Sequence, residues 1–543
     1  MNILHKLLAM LSLRDSVSVI PTRKMGSFIC FCLISFVAAA QAQNFTYYVD
    51  SANGKDSNPG TEGSPWQSIA KVNSTILHPG QSVGFKSADT WRETLVVSQS
   101  GIAGDPIIFG AYGTGAQPII DGSDILSSGW TLYSGNVWKH AFAPSNVNHP
   151  WVFFNGVAGG HNGGNPQSSI SGITATNEWY WDGSSTLYVY STSNPATAFT
   201  NPGVEATTRI GVRAPIQSYV TFQNLNVRKT SGNCFDMYQV NHGSVLNSTT
   251  SYCGERGIAF YNNADYAIVG SNRVSYSAES GISVDNSSYA QIYLNDTSHS
   301  GVLVDDSEGI GVWGDSGGNY IYFNYSHDNN DQTGPAGIRG IELDTITPPN
   351  VNYAHDNIAT RNNASGIIVE TSQNQMVWNN LSYNNAHGVG GNCCVSGIKD
   401  NDGAGNMFYN NTTAGNEFSE LQVTNIGGVG PIVENNIFAA TSTEQGAIVT
   451  NGSTGTAGTY DYNLLYGTTP LFSFGGTWFS ATTFYPSTGK GEHDVYASPL
   501  FTSTPNSYLQ SLGFGLSSGS PAIGKGIYIS GVSTTNPPNL GAH

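Results

Sequence analysis

From about Tyr219 onward one short pattern keeps returning. "GIAFYNN" begins at Gly257, "GISVDNS" at Gly281, "GVLVDDS" at Gly301, "GIELDTI" at Gly340 and "GIIVETS" at Gly366, and "GIKDNDG" at Gly397 is a weaker copy. Self-similarity with a unit of about 20–26 residues is the signature of a solenoid. Each unit is short, β-branched and bounded by Gly and Asn, which argues for strands rather than helix pairs. The 65 glycines fit many tight turns, because glycine tolerates a positive φ where a chain must reverse. The expected object is an all-β coil in which each turn lays its strands on those of the turn before.

In a strand, alternate residues face opposite sides. Ile258, Ile282, Val302, Ile341 and Ile367 therefore form one inward column, with Phe260, Val284, Val304, Leu343 and Val369 beside it. Glu342 and Asp344 then point out. The position four after each repeat glycine reads Tyr261, Asp285, Asp305, Asp344 and Glu370, an outer column of acids. Like charges stacked on neighbouring strands repel, and only 10% of the chain is charged. That column is the candidate site, with Arg339 and Lys399 close in sequence. A repeat start at Gly309 is a rival that would put Trp313 in place of Asp305; the likeness of "VLVDDS" to "ISVDNS" and "IIVETS" favours Gly301. A second recurrence, Asn247, Asn272, Asn295, Asn324, Asn357, Asn380, Asn411 and Asn436, suits side-chain amides bonding along a ladder.

The rest of the chain sets bounds. A formal charge of −17 removes the basic footprint that nucleic acid requires. "RKMGSFICFCLISFVAAAQAQ" has a basic start, an apolar stretch and a small-residue exit, so 1–42 reads as an export signal, with Met25 as an alternative start. No later apolar run is long enough to span a bilayer. Cys30 and Cys32 leave with the signal; Cys234 and Cys253, about one repeat apart, suit a bridge between neighbouring coils, and Cys393 and Cys394 are adjacent. No Cys/His spacing matches a zinc site. The expected organisation is a cap and first coils over 43–125, a β-rich insertion over 126–215, and coils over 216–543.

With these motifs the chain resembles the right-handed parallel β-helix proteins, the pectate-lyase-like superfamily of exported carbohydrate-active enzymes and binders. "YYVDSANGKDSNPGTEGSPWQSIAKVN" resembles their opening coil and cap, in which Ser64-Pro65 would start a short helix. "NEWYWDGSSTLYVYSTSNP", from Asn177, is similar to their strand-rich insertions, and "SPLF…SPAIGKG…NLGAH" to their closing coil. The likeness spans nearly all of the exported chain. It implies a right-handed parallel β-helix with an N-terminal cap, and a polysaccharide or oligosaccharide as partner; fold alone does not fix the reaction. The aspartate-rich and "GHG" motifs of the pectin-hydrolysing members are missing.

Three activities fit the acid column. Glycoside hydrolysis needs two carboxyls, one protonated and one ionised; Asp344 and Glu370 are the adjacent pair, Asp305 stands one rung further, and Arg339 would hold the sugar with Glu342 orienting it. Trp313 would offer a flat face to a sugar ring, His327 would share a proton, and Asp285 extends the column. The alternative is β-elimination on a uronic-acid polymer, with Lys399 or Arg339 as base and Ca²⁺ held through carboxylate oxygens. The third is a glycan-binding surface protein without turnover. No residue pattern demands a cofactor otherwise.

Overall fold

The computed structural model describes residues 44–144, 149–160, 166–329, 337–386, 395–424, 429–440, 446–450, 457–467, 471–502 and 514–542. The expected export signal and the Cys393-Cys394 pair lie outside them. Three sheets of thirteen strands each run the length of the coil. One full turn passes through Val220–Gln223 in the first sheet, Asn226–Arg228 in the second and Phe235–Tyr238 in the third. The next turn repeats the order at Ser244–Leu246, Thr249–Cys253 and Ile258–Tyr261, and successive turns pair in parallel. The protein is a right-handed parallel β-helix.

The core follows from the two-residue alternation. Ile282, Ile310, Ile341, Ile367 and Ile398 stack in register on the inward side of the third sheet, each at most 1% exposed. Fully burying such a side chain is worth about 1.5–3 kcal/mol, and the column repeats that gain at every turn. One rung differs from the expected register. The strand is Glu308–Trp313, so Ile310 and Val312 take the inward places expected for Val302 and Val304. Gly301 instead makes a turn at φ +70°, and Val302 packs beside Trp151 and Phe153 of the insertion.

Amide ladders stitch the turns together. Asn272, Asn295, Asn324, Asn357, Asn380, Asn411 and Asn436 each pass an Nδ2–H to the next amide oxygen at 3.0–3.1 Å, the last of them to Asn463 Oδ1. Asn247 is not among them; Ser248 fills that turn, its backbone N–H bonding to Asn272 Oδ1. A second ladder joins Asn329, Asn362, Asn385 and Asn416 and ends on the Glu420 carboxyl. This ladder explains the strand glycines of the later turns. A Cβ on Gly340 would lie 2.6 Å from Asn362 Nδ2, and one on Gly366 only 2.5 Å from Asn385 Nδ2.

The short N-terminal helix spans Ile69–Asn73 and is capped by Ser68, whose Oγ accepts from the Lys71 N–H at 3.0 Å. It begins later than the Ser64-Pro65 start expected, because Ser64 bridges Thr61 and Trp66 bridges Val49 in extended pairings.

Between the second-sheet strand Ile119–Asp121 and the third-sheet strand Val212–Arg213 the chain leaves the coil and builds two antiparallel four-stranded sheets. They close on Trp130, Phe142, Phe154, Trp179, Leu187 and Val189. Buried Glu205 ties this insertion to the coil through Arg92 at 2.7 Å and Lys229 at 2.6 Å. The connections 299–307, 328–338 and 384–395 leave from the same second-to-third-sheet corner. The insertion and these three connections thus lead into the third sheet.

Candidate functional site

Two outer columns of the third sheet carry the chemistry. In register, Tyr261, Asp285, Trp313, Asp344, Glu370, Asn401 and Thr424 form one. Asp285, Trp313, Asp344, Glu370 and Asn401 are half-buried there. Ser283, Gly311, Glu342, Ile368, Lys399 and Gln422 form the other, and all of these are buried. Neighbouring rungs lie about 4.7–4.9 Å apart, so side chains one rung apart touch.

Asp344 and Glu370 are register partners. Burial is the largest influence on Asp344 and raises its pKa; the Thr345 hydrogen bond opposes it and the charge of Glu370 adds to it. Glu370 meets cations and donors instead: Arg339 Nη2 lies 3.3 Å from Oε2, and Asn401 Nδ2 donates to Oε1 at 2.7 Å. Thr424 Oγ1 in turn donates to Asn401 Oδ1 at 2.6 Å, fixing that amide. Arg339 also pairs with Asp306 and lies 3.9 Å from Glu342. Burial alone would lower its pKa, but Glu342, Asp306 and Glu370 raise it, so it stays charged.

Behind this pair sit two buried acids. Glu342, 4% exposed, has its pKa pushed well up by burial, which the attraction of Arg339 only partly offsets and the nearness of Glu308 reinforces. Glu308 is fully buried, with the Ser280 hydroxyl as its hydrogen-bonding neighbour. Burial pushes its pKa up to about 8, against the opposing effects of Ser280, Arg256 and Arg339. It lies over Gly311, where a Cβ would come within 2.6 Å of Oε1. Lys399, in the same column, is pulled down to about 8, chiefly by burial. Upstream, Arg256 binds Glu279 at 2.8 Å and stands 4.9 Å from the Trp313 ring. Burial raises Asp285, with Arg256 opposing.

The structure thus brings together Asp285, Trp313, Arg339, Glu342, Asp344, Glu370 and Lys399. Asp305 is not with them: it is exposed in the connection before the Glu308 strand, and Trp313 holds its expected place. Glu342 leaves the inner strand face as expected, yet is buried rather than open to a groove. His327 lies on the second sheet, in register with Ser298 and Thr360. There it bonds Asp296 at 2.9 Å and Asp328 at 2.5 Å and stacks on Tyr325 at 4.0 Å. Burial opposes its protonation, but the two aspartates outweigh it and raise the pKa. Sequence reading missed Glu308, Arg256 and Glu279. The Gly309 register, which sets Glu308 opposite Arg339, held the signal for the first.

Among the described residues no group of three or more His, Cys, Asp or Glu is arranged to hold a metal ion. No helix among them is long and apolar enough to cross a membrane. Cys234 and Cys253 are joined in a disulfide, with their Cα atoms 5.4 Å apart.

Fold and site together define a parallel β-helix with a mixed acid–base strip on its third sheet. A family model described as a right handed beta helix region matches residues 185–313. Over 111 residues, 19% of this chain, the protein is 35% identical to a lacto-N-biosidase of Bifidobacterium longum subsp. longum, and the match spans only 7% of that relative's length. Among solved structures, XylC in complex with xylose superposes with a TM-score of 0.49 at 15% identity, covering 78% of this chain and 76% of that one. A GH136 lacto-N-biosidase from Eubacterium ramulus gives 0.35 at 15% identity over 83% and 67%. The pectate lyase Pel9A gives 0.43 at 12% identity over 92% and 97%.

Proposed function

We propose that this protein is an exported carbohydrate-active enzyme that hydrolyses a glycosidic bond, with Asp344 as proton donor and Glu370 as the second carboxyl. One observation carries the reading: two half-buried carboxyls face each other from adjacent rungs in opposite environments. Burial favours the protonated form of Asp344, while Glu370 accepts from Arg339 and Asn401. Glycoside hydrolysis needs two carboxyls at the bond, one of them able to hold a proton. The rung spacing of about 4.8 Å is close to the ~5–5.5 Å carboxyl separation of retaining glycosidases.

In that scheme Glu370 attacks the anomeric carbon as the bond to the leaving oxygen breaks and Asp344 protonates that oxygen. Water, giving its proton back to Asp344, then releases the sugar from Glu370. The lacto-N-biosidase likeness of the 111-residue segment supports a glycosidase, and the basic-apolar start of the chain supports export.

The test is reducing-end release from a glycan panel that includes lacto-N-biosides. Asp344→Asn and Glu370→Gln should each lower kcat about 10²–10⁴-fold with the melting temperature retained. Full activity in both variants would sink the assignment. Elimination is the second reading, favoured by buried Lys399 with its pKa near 8. It requires a product with the ultraviolet absorbance of an unsaturated uronate, lost in Lys399→Ala. If neither product forms but saccharide binds, the strip is a binding surface.

A further inference from the structure

The insertion holds a cavity that the acid strip does not use. It encloses about 420 Å³ and is lined by His149, Gln167, Tyr180, Trp181 and Leu303, with Trp179 behind them. Trp179 is fully buried and its indole N–H is spent on the Gly159 carbonyl at 3.0 Å. Tyr180, Trp181, Gln167 and Leu303 are half-buried. His149 Nδ1 is buried and has no hydrogen-bond partner. Aromatic walls with a few polar atoms, in a volume of about 300–1,000 Å³, are the makeup of a small-molecule site. Here the ligand would be part apolar and part hydroxylated, as a sugar ring is.

The cavity also lies next to the strip. Leu303 lines it, and three residues on in the same connection Asp306 pairs with Arg339. From the other side, the electrostatic influence of Glu279 reaches His149, and Glu279 binds Arg256, which stands over the Trp313 ring. Trp313 is the rung directly before Asp344. Trp313, Arg256 and Glu279 therefore lead, contact by contact, from the acids toward the insertion.

We propose that this cavity is a distal saccharide subsite, so that the preferred substrate is an oligosaccharide long enough to reach from Asp344 to the Tyr180–Trp181 wall. The inference rests on the carbohydrate reading above. It assigns the insertion a job, recognition of chain length, that the two carboxyls cannot perform.

The experiment measures binding with the inactive Asp344→Asn protein, so that turnover does not enter. Chito-, xylo- and galacto-oligosaccharides, from disaccharide to hexasaccharide, are titrated while tryptophan fluorescence is followed. Affinity should rise about tenfold, near 1.4 kcal/mol, once the chain is long enough to enter the cavity. Tyr180→Ala on the insertion and Leu303→Ala on the connection should each flatten that rise, and Trp181→Phe should remove the fluorescence change. Two variants on separate elements guard against a local folding defect, and each is checked by its melting temperature. Binding that does not depend on length in the parent, or a rise that survives both variants, overturns the subsite and leaves the hydrolase reading intact. No binding by any saccharide overturns both.

Discussion

Glu308 and Glu342 pose the sharpest question at the residue scale, because two adjacent acids are kept away from water. Burial is the main cause of both raised pKa values; the nearness of Glu308 adds to that of Glu342, and Glu279 adds to that of Glu308. For Glu308 the folded value of about 8 stands above the ordinary 4.5. Across that interval the folded state holds a proton that the unfolded chain releases. Stability from this group is therefore full below about pH 4.5 and declines as pH rises toward 8. Glu308→Gln keeps the shape without the titration. It should flatten the fall in melting temperature across that window, and be the more stable protein at pH 8. Equal slopes for the two proteins would mean that Glu308 is charged when folded. These acids also show what sequence could tell about the site. Strand alternation sufficed to turn Asp285, Asp344 and Glu370 outward. It could not bury Glu342, since alternation gives a side chain's face and not its depth, and it could not find Glu308, whose side chain crosses to the gap left by Gly311.

At the scale of the element, the ladder sets the register. The expectation of a strand at Gly301 followed apolar likeness, "VLVDDS" against "ISVDNS". The physical pattern is different: from Gly309 onward, at Gly340, Gly366 and Gly397 as well, the strand glycine lies beneath an amide from the next turn. Gly309 fits it, since a Cβ there would fall 2.6 Å from Asn329 Nδ2, whereas at Gly301 the nearest atoms are the Ile338 side chain. His327 was misplaced for a related reason. A coil has three strands per turn, and the expected acid column said nothing about which sheet a neighbouring residue occupied. Two substitutions probe the ladders. Gly366→Ala would put a methyl 2.0 Å from Ser382 Oγ, so that the overpacked site should cost about 1–3 kcal/mol. Asn380→Leu removes the acceptor used by the Asn357 amide, the donor to Asn411 and the donor to the Ala354 carbonyl. Orphaned buried groups of this kind cost about 1–3 kcal/mol each. Denaturant unfolding should show both losses; an Asn380→Leu protein as stable as its parent would mean the ladder contributes only register.

Across the whole molecule, the coil itself was legible because one pattern recurs at every turn, and the long interruptions were legible as breaks in it. Where those breaks emerge was not, because only the folded coil shows that they share one corner. The disulfide sits where this matters. Cys234 precedes the third-sheet strand at Phe235, and Cys253 ends the second-sheet strand one turn later. The Cys253 carbonyl also accepts the indole N–H of Trp151 at 3.2 Å, so the bridged turns are those on which the insertion rests. Their Cys residues are 19 apart, and closing a loop of that size in the unfolded chain is worth about 3 kcal/mol. In a solenoid each turn touches only its neighbours, so the loss should be felt first at this junction and then by the insertion's grip on the third sheet. Cys234→Ser with Cys253→Ser should therefore lower the unfolding free energy by about 2–4 kcal/mol. It should also weaken binding of long saccharides more than short ones. Reductant should bring the parent down to the double variant and leave that variant unmoved. A parent that ignores reductant while the variant melts early would assign the loss to packing of the two sulfurs rather than to their bond.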